Sequence, residues 1–180
     1  MNAVAGKALT SNHFELFGLE PVFALNADSL DSAYRDIQAK VHPDRFAHAG
    51  DAERRASLQW TTRVNEAYRT LKDPVQRAGH ILELKGVDVA FETNTAMPAD
   101  FLMQQMELRE SVEGAIGKKD PASLDAMRKA LLEQKRSLEK QLGERLDVAK
   151  DYAGAAELVR KLQFLDKLDA EIDSAYEAVE

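Results

Sequence analysis

The spacing of hydrophobic and polar positions predicts helices along most of the chain. The first long hydrophobic stripe has steps of four, three and four residues, the spacing that places side chains on one face of a helix. It consists of Leu30, Tyr34, Ile37 and Val41, and the polar positions between them include Asp31, Arg35, Asp36 and Lys40. We therefore expect a helix that ends near Val41, with Asp28 or Ser29 as its N-cap.

A second helix is predicted from Asp51 to Lys72. Its stripe consists of Ser57, Trp60 or Thr61, Val64, Ala67, Tyr68 and Leu71. Two amphipathic helices joined by a short loop pair antiparallel. The loop between them contains His42-Pro43-Asp44. Because Pro43 lacks an N–H and disfavours helical geometry at the preceding residue, the first helix should stop before His42 and leave two side chains directed toward solvent.

Shorter elements flank this pair. The apolar segment His13 to Leu19 predicts a short packing helix or turn before Pro21. Asp73-Pro74 predicts the N-cap and first position of another helix, and Gly86 its C-terminal stop. Its inward positions are Val75, Ala78, Ile81 and Leu82.

The periodicity lapses from Gly86 to Ala96 and then returns as three further helices. They are predicted from Pro98 to about Gly117, from Asp120-Pro121 to about Gln141, and from about Val148 to the C-terminus. No alternating strand pattern occurs. The predicted fold class is all-α, with a first domain at 1–86, a linker at 87–97 and a C-terminal three-helix bundle at 98–180.

The helix after Pro98 carries more apolar residues than one face can use. At about 100° per residue, its core stripe is Phe101, Leu108, Val112 and Ala115. Turned away from that stripe lie Leu102, Met103, Met106, Glu107 and Glu110, and Phe164 lies off the stripe of the last helix. Exposed methionines and an exposed phenylalanine indicate an interface, unless another helix or the first domain covers them.

Composition narrows the function classes. With 180 residues and 44% hydrophobic content, the chain should bury a core. It has no cysteine, which excludes disulfides, thiolate metal sites and cysteine nucleophiles and fits a reducing compartment. No apolar run approaches the roughly 20 residues of a membrane span, so we expect a soluble protein with no membrane partner.

Three other functions have some support in the residues. His42 and Asp44 suggest a base and its orienter, but no nucleophile or oxyanion site accompanies them. The histidines His13, His42, His48 and His80 lack a carboxylate pattern that would complete a metal site, so surface histidines are the preferred interpretation. Arg54, Arg55, Arg63 and Arg69 give one helix a basic side, yet the net charge of -7 argues against a nucleic-acid partner.

The motifs together resemble a known family. A helix, His42-Pro43-Asp44, a second helix and NEAYRTLKDPVQRA at 65–78 resemble the J domain of co-chaperones that stimulate the ATPase of DnaK-class chaperones. HFELFGL, HPDRF, FLMQQMELRE at 101–110 and RKLQFLDKL at 160–168 resemble, in the same order, HscB, the J-type co-chaperone of iron–sulfur cluster assembly. The resemblance implies an N-terminal J domain and a C-terminal three-helix bundle in an L-shaped arrangement.

The resemblance also implies partners and sites. The chaperone-binding residues would be His42, Pro43 and Asp44, with Tyr34, Arg35 and Lys40 as helpers; the partner would be the DnaK-class chaperone HscA. The residues that bind the scaffold IscU would be Leu102, Met103, Met106, Glu107, Arg109, Glu110 and Phe164. No catalytic residue, metal site or cofactor is implied, since the partner scaffold carries the cluster and the co-chaperone is not an enzyme. The absence of cysteine resembles the bacterial form and implies a cytoplasmic location.

The chain departs from ordinary J domains at two points. Val41 stands where a tyrosine usually precedes the tripeptide, and Arg35 and Lys40 are balanced by Asp31 and Asp36 on a helix that is usually rich in lysine. Electrostatic docking through that helix is therefore less supported than docking through the tripeptide. The alternative function is a general J-domain co-chaperone whose bundle holds unfolded clients.

Overall fold

A computed structural model describes residues 11–89 and 97–179 of the chain, and within these ranges every regular element is helical. The elements are α1 (His13–Leu16), α2 (Ala27–Val41), a 3₁₀ turn (Pro43–Phe46), α3 (Asp51–Lys72), α4 (Pro74–Leu84), α5 (Ala99–Lys118), α6 (Pro121–Gly143), a π-helical turn (Glu144–Ala149) and α7 (Tyr152–Val179). The predicted all-α class is confirmed. Among the described residues, no helix combines the length and apolar character needed to cross a membrane.

The chain divides into two compact units, Met1–Ile81 and Leu82–Glu180, and the division falls inside α4. The first unit contains the helix pair with the His42-Pro43-Asp44 turn, and the second contains the last three helices. The domain limits 1–86, 87–97 and 98–180 stay a prediction. Most of the predicted linker, residues 90–96, lies outside the described ranges.

In the first unit, α2 and α3 pair antiparallel, as the sequence predicts. Asp31 near the start of α2 contacts Lys72 at the end of α3, while Val41 at the end of α2 contacts Ser57 near the start of α3. Between these ends, the rings of Tyr34 and Tyr68 stack with centroids 4.1 Å apart. The buried apolar side chains of this unit are Phe14, Phe17, Phe23, Leu30, Val64, Ala67, Leu71, Val75, Ala78 and Ile81.

One predicted cap is wrong and one is confirmed. Helix α2 begins two or three residues earlier than expected, because Asn26, not Asp28 or Ser29, is the N-cap: its Oδ1 accepts a hydrogen bond from the amide of Ser29 at 2.9 Å. Asp73 caps α4 as predicted, with its Oδ1 accepting from the Gln76 amide at 2.8 Å. Beyond α4, Gly86 adopts φ +73°, a left-handed conformation that glycine reaches without strain.

The second unit packs α5, α6 and α7 around an apolar core. Its central cluster is Phe101, Val112, Ala115, Leu124, Leu131, Leu165, Leu168, Ile172 and Ala175. Asp120 caps α6 as predicted, accepting from the Ser123 amide at 3.1 Å.

The predicted start of the last helix near Val148 is wrong. After α6 the chain continues through the π-helical turn, which places Val148 in an exposed position. Lys150 then adopts a left-handed conformation with φ 55°, which ends the turn. Helix α7 starts at Tyr152, and Asp151 Oδ1 accepts a hydrogen bond from the Gly154 amide at 3.0 Å.

Candidate functional sites

The turn between α2 and α3 exposes the predicted tripeptide. Helix α2 ends at Val41, as the proline rule predicts, and His42 adopts φ -56° and ψ 132°, outside the helical region. Pro43 to Phe46 then form a single 3₁₀ turn. The side chain of His42 is 52% exposed and that of Asp44 is 90% exposed. Both side chains are therefore available to a partner.

His42 and Asp44 contact each other through one nitrogen. His42 Nδ1 accepts a hydrogen bond from the Asp44 amide at 3.3 Å, and Asp44 Oδ2 lies 3.5 Å from the same nitrogen. A neutral Nδ1 can accept from the amide, whereas a protonated Nδ1 can only donate to the carboxylate. In either state the imidazole is held over the turn, and Nε2 takes part in neither contact.

The turn disrupts the hydrogen bonds that would end α2, and side chains replace them. In a continuing helix, the Ala39 carbonyl would accept from the amide of residue 43, but Pro43 has none. Arg45 Nη1 donates to that carbonyl instead, at 2.8 Å. The Val41 carbonyl accepts from Ser57 Oγ at 2.6 Å and from Thr61 Oγ1 at 3.3 Å. These contacts are not among those predicted from the sequence, although Pro43, four residues after Ala39, signals the first.

Of the three predicted helpers on α2, Tyr34 lies in the interface between the helices. Its Oη donates to Asn65 Oδ1 at 3.0 Å and accepts from Gln38 Nε2 at 2.9 Å. The side chain is half-buried and ties α2 to α3. Arg35 and Lys40 are exposed. Their role in chaperone binding stays a prediction.

Asp31 does not simply face solvent, as a position opposite the apolar stripe would suggest. Lys72 Nζ donates to both of its carboxylate oxygens, at 2.7 and 3.0 Å, and Tyr68 Oη donates to Oδ1 at 3.0 Å. The hydrogen bond from Lys72, followed by that from Tyr68, lowers the pKa of the Asp31 carboxyl. The same hydrogen bond raises the pKa of Lys72.

In the second unit, one side of α5 is exposed as the helical wheel predicts. We call Leu102, Met103, Met106, Glu107 and Glu110 the α5 patch. Met103 is 61% exposed and Met106 is 60% exposed, whereas Phe101 and Val112 on the opposite side are buried. The predicted exposure is confirmed, and the predicted role in scaffold binding remains to be tested.

The predicted exposure of Phe164 is wrong. Its side chain is half-buried and packs against the core of the second unit. Its ring lies edge-on to that of Phe101, with centroids 5.8 Å apart, and the Arg109 guanidinium lies 5.2 Å from its centroid. The error arises because a wheel drawn for one helix does not show which residues its neighbours cover.

Arg109 is held from two sides. Its Nε and Nη2 each donate to the Glu171 carboxylate at 2.8 Å, a bidentate geometry that fixes the plane of the guanidinium. Hydrogen bonding to Glu171 raises the pKa of Arg109. Arg109 and Phe164 thus link α5, which carries the α5 patch, to α7.

Four of the residues behind the competing functions, His13, His80, Arg54 and Arg63, have structural partners. The rings of His13 and His80 stack with centroids 4.2 Å apart, and the His13 amide donates to His80 Nε2 at 3.3 Å. Within the described ranges, no group of three or more histidine, aspartate or glutamate side chains is placed to hold a metal ion. On the basic side of α3, Arg54 pairs with Asp51 and Arg63 donates to the Ser11 carbonyl.

An antiparallel helix pair that presents His-Pro-Asp at its turn, followed by a helical bundle, defines a J-type co-chaperone. The family model described as the HSCB C-terminal oligomerisation domain matches residues 97–173. A co-chaperone protein HscB homolog of Burkholderia thailandensis is 51% identical over 96% of this chain and 98% of its own length. The chain belongs to the HscB co-chaperone family.

Solved structures agree with this assignment. The chaperone HscB from Vibrio cholerae has a TM-score of 0.82 and 36% identity, covering 94% of this chain and 100% of its own. The human co-chaperone HscB has a TM-score of 0.85 at 24% identity, covering 92% of this chain and 82% of its own, and so supports the fold alone. The Burkholderia relative and the human protein are both co-chaperones.

Proposed function

We propose that this protein is a cytoplasmic co-chaperone of iron–sulfur cluster assembly that connects an HscA-type chaperone to the scaffold IscU. The observation that carries the proposal is the exposed His42-Pro43-Asp44 turn at the end of an antiparallel helix pair. Membership of the HscB family and the exposed α5 patch support it. The turn acts on the chaperone and the patch holds the scaffold.

The turn stimulates ATP hydrolysis on the chaperone. His42 and Asp44 offer an imidazole and a carboxylate that are largely exposed and held in one geometry. Such a preformed contact binds without a large ordering cost. Arg35 and Lys40 are exposed on the preceding helix and assist docking, and Tyr34 supports that helix from within. The hydrolytic chemistry belongs to the chaperone, and this chain contributes binding.

The α5 patch has the composition of a protein interface. Leu102, Met103 and Met106 form an apolar centre, and Glu107 and Glu110 form a charged rim. Phe164 supports this surface from below, through its contacts with Phe101 and Arg109. The scaffold carries the iron–sulfur cluster as cargo, and this chain holds no cofactor.

The two sites act together by tethering. When the patch holds the scaffold and the turn contacts the chaperone, the local concentration of scaffold at the chaperone's peptide site rises. ATP hydrolysis then traps the scaffold on the chaperone, which promotes transfer of the cluster to acceptors.

A steady-state ATPase assay with purified HscA tests the proposal. We expect the co-chaperone alone to raise the rate in a saturable manner, and the co-chaperone with IscU to raise it by more than the two separate effects combined. Failure to stimulate at any concentration would contradict the chaperone half of the proposal. Stimulation without synergy would contradict the scaffold half.

One observation favours a second candidate function, a general co-chaperone that holds unfolded clients. Exposed methionines such as Met103 and Met106 adapt to many apolar partners. A competition experiment separates the two functions. Saturable binding to folded IscU that unfolded peptides do not displace favours the scaffold, and displacement favours the general co-chaperone.

A further inference from the structure

Ser57 is a polar residue in a buried position. It is only 4% exposed on α3, and its Oγ donates to the Val41 carbonyl at 2.6 Å. Thr61, one turn further along α3, donates to the same carbonyl at 3.3 Å. That carbonyl belongs to the peptide group that joins the last residue of α2 to His42.

The Val41 carbonyl needs these donors because the turn removes its usual partner. In a continuing helix it would accept from the amide of Arg45, but that amide donates to the His42 carbonyl at 3.1 Å. Because this contact is part-buried, a carbonyl left there without a donor would be costly. The hydroxyls from α3 satisfy it, and they fix the peptide plane from which His42 leaves the helix.

We propose that Ser57, assisted by Thr61, is a positioning residue that holds the His42-Pro43-Asp44 turn in the conformation that the chaperone binds. The inference rests on the proposed function of the turn. Ser57 acts through the Val41 carbonyl and, being buried, touches no partner itself. Loss of its hydroxyl lets the turn populate other conformations.

This mechanism changes the concentration of co-chaperone needed for half-maximal ATPase stimulation and leaves the maximal stimulation unchanged. When only a fraction of the molecules has the competent turn, apparent affinity falls by that fraction, but saturating co-chaperone still selects the competent form. The concentration that gives half-maximal ATPase stimulation should therefore rise, while maximal stimulation should not change. Removal of a group that contacts the chaperone would lower the maximum instead.

Neighbouring threonines supply a matched control. Thr61→Val and Thr62→Val each replace a hydroxyl by a methyl group of similar size, but Thr62 Oγ1 donates at 3.0 Å to the Leu58 carbonyl of its own helix. We expect Ser57→Ala to raise the half-maximal concentration by about 3- to 10-fold. Thr61→Val should raise it less and Thr62→Val should leave it unchanged, with equal maximal stimulation in all variants.

An NMR measurement on the full chain gives a readout that needs no chaperone. In Ser57→Ala, the amides of His42 and Asp44 should shift and exchange faster with solvent, while those of Val64 and Leu71 keep their protection. If Ser57→Ala and Thr61→Val match Thr62→Val in both measurements, or if they lose maximal stimulation, the inference is wrong. Should Ser57→Ala fail to fold, the comparison of Thr61→Val with Thr62→Val tests the inference, and equal results for these two variants contradict it. A wild-type chain that does not stimulate contradicts the proposed function, and the amide measurement then tests the positioning role alone.

Discussion

Phe164 lies edge-on against Phe101, with ring centroids 5.8 Å apart, and this contact links the core of the second unit to the residue that lies beneath the α5 patch. Phe101 is buried in the core of the second unit, while Phe164 packs against that core with one side and lies 5.2 Å from the Arg109 guanidinium on another. Phe164 therefore stabilises the fold as well as supporting the α5 patch.

Replacing Phe164 by alanine should lower stability. A fully buried Phe→Ala change costs about 3–5 kcal/mol, so for this half-buried ring we expect a loss of about 1–3 kcal/mol in the free energy of unfolding. Urea unfolding followed by circular dichroism measures it. Affinity for IscU should fall in the same variant. An unchanged urea midpoint would show that the contact with Phe101 contributes nothing.

Replacing Met103 and Met106 together by alanine should weaken IscU binding and leave stability nearly unchanged. Both side chains are mostly exposed, so the free energy of unfolding should change by less than about 0.5 kcal/mol. Loss of two interface anchors should weaken IscU binding by at least about 10-fold, measured by calorimetry. Val148→Ala, at an exposed apolar position of the same unit, is the control and should bind IscU normally. A large loss of stability in the double variant would mean that these side chains belong to the core.

The elements that follow from local chemistry are predictable from the sequence. Pro43 stops α2 at Val41, and Asp73-Pro74 starts α4, because each acts on backbone groups a few residues away. The predicted bounds of α3 also match the structure. The predicted start of the last helix near Val148 is wrong, because Glu144–Ala149 form a π-helical turn and Lys150 takes a left-handed conformation before α7 begins at Tyr152.

The periodicity of one helix predicts which of its side chains are exposed better than it predicts which of them contact a neighbouring helix. Met103 and Met106 lie opposite a strong core stripe, and their exposure follows from that stripe. The burial of Phe164 does not follow from the stripe of its own helix, since it depends on Phe101 in another helix. The hydrogen bond from Ser57 to the Val41 carbonyl likewise depends on the pairing of α2 with α3 and leaves no mark in the sequence of either helix.

Replacing His42 by glutamine should abolish ATPase stimulation and leave the fold intact. The imidazole is half exposed, and its contacts in the turn are with Asp44, so its loss should change neither the unfolding midpoint nor the affinity for IscU. His48→Gln, at an exposed histidine beyond the same turn, is the control and should stimulate normally. The ATPase assay with HscA measures the stimulation by both variants. Full stimulation by His42→Gln would contradict the assignment of the turn.

Replacing Asp31 by asparagine should remove a stabilising contact that depends on pH. Hydrogen bonds from Lys72 and Tyr68 lower the pKa of this carboxyl in the folded state, so its ionised form favours folding. Its contribution is fully present above the unfolded pKa of about 3.9 and is lost as the pH falls through the lower folded value. The wild type should therefore exceed Asp31→Asn in stability near neutral pH, and the difference should shrink below about pH 4. Urea midpoints from about pH 7 to about pH 3 measure this, with Asp36→Asn, exposed on the same helix, as the control. A difference between wild type and Asp31→Asn that stays constant over this range would mean that the ionised carboxylate adds nothing to the joint between α2 and α3.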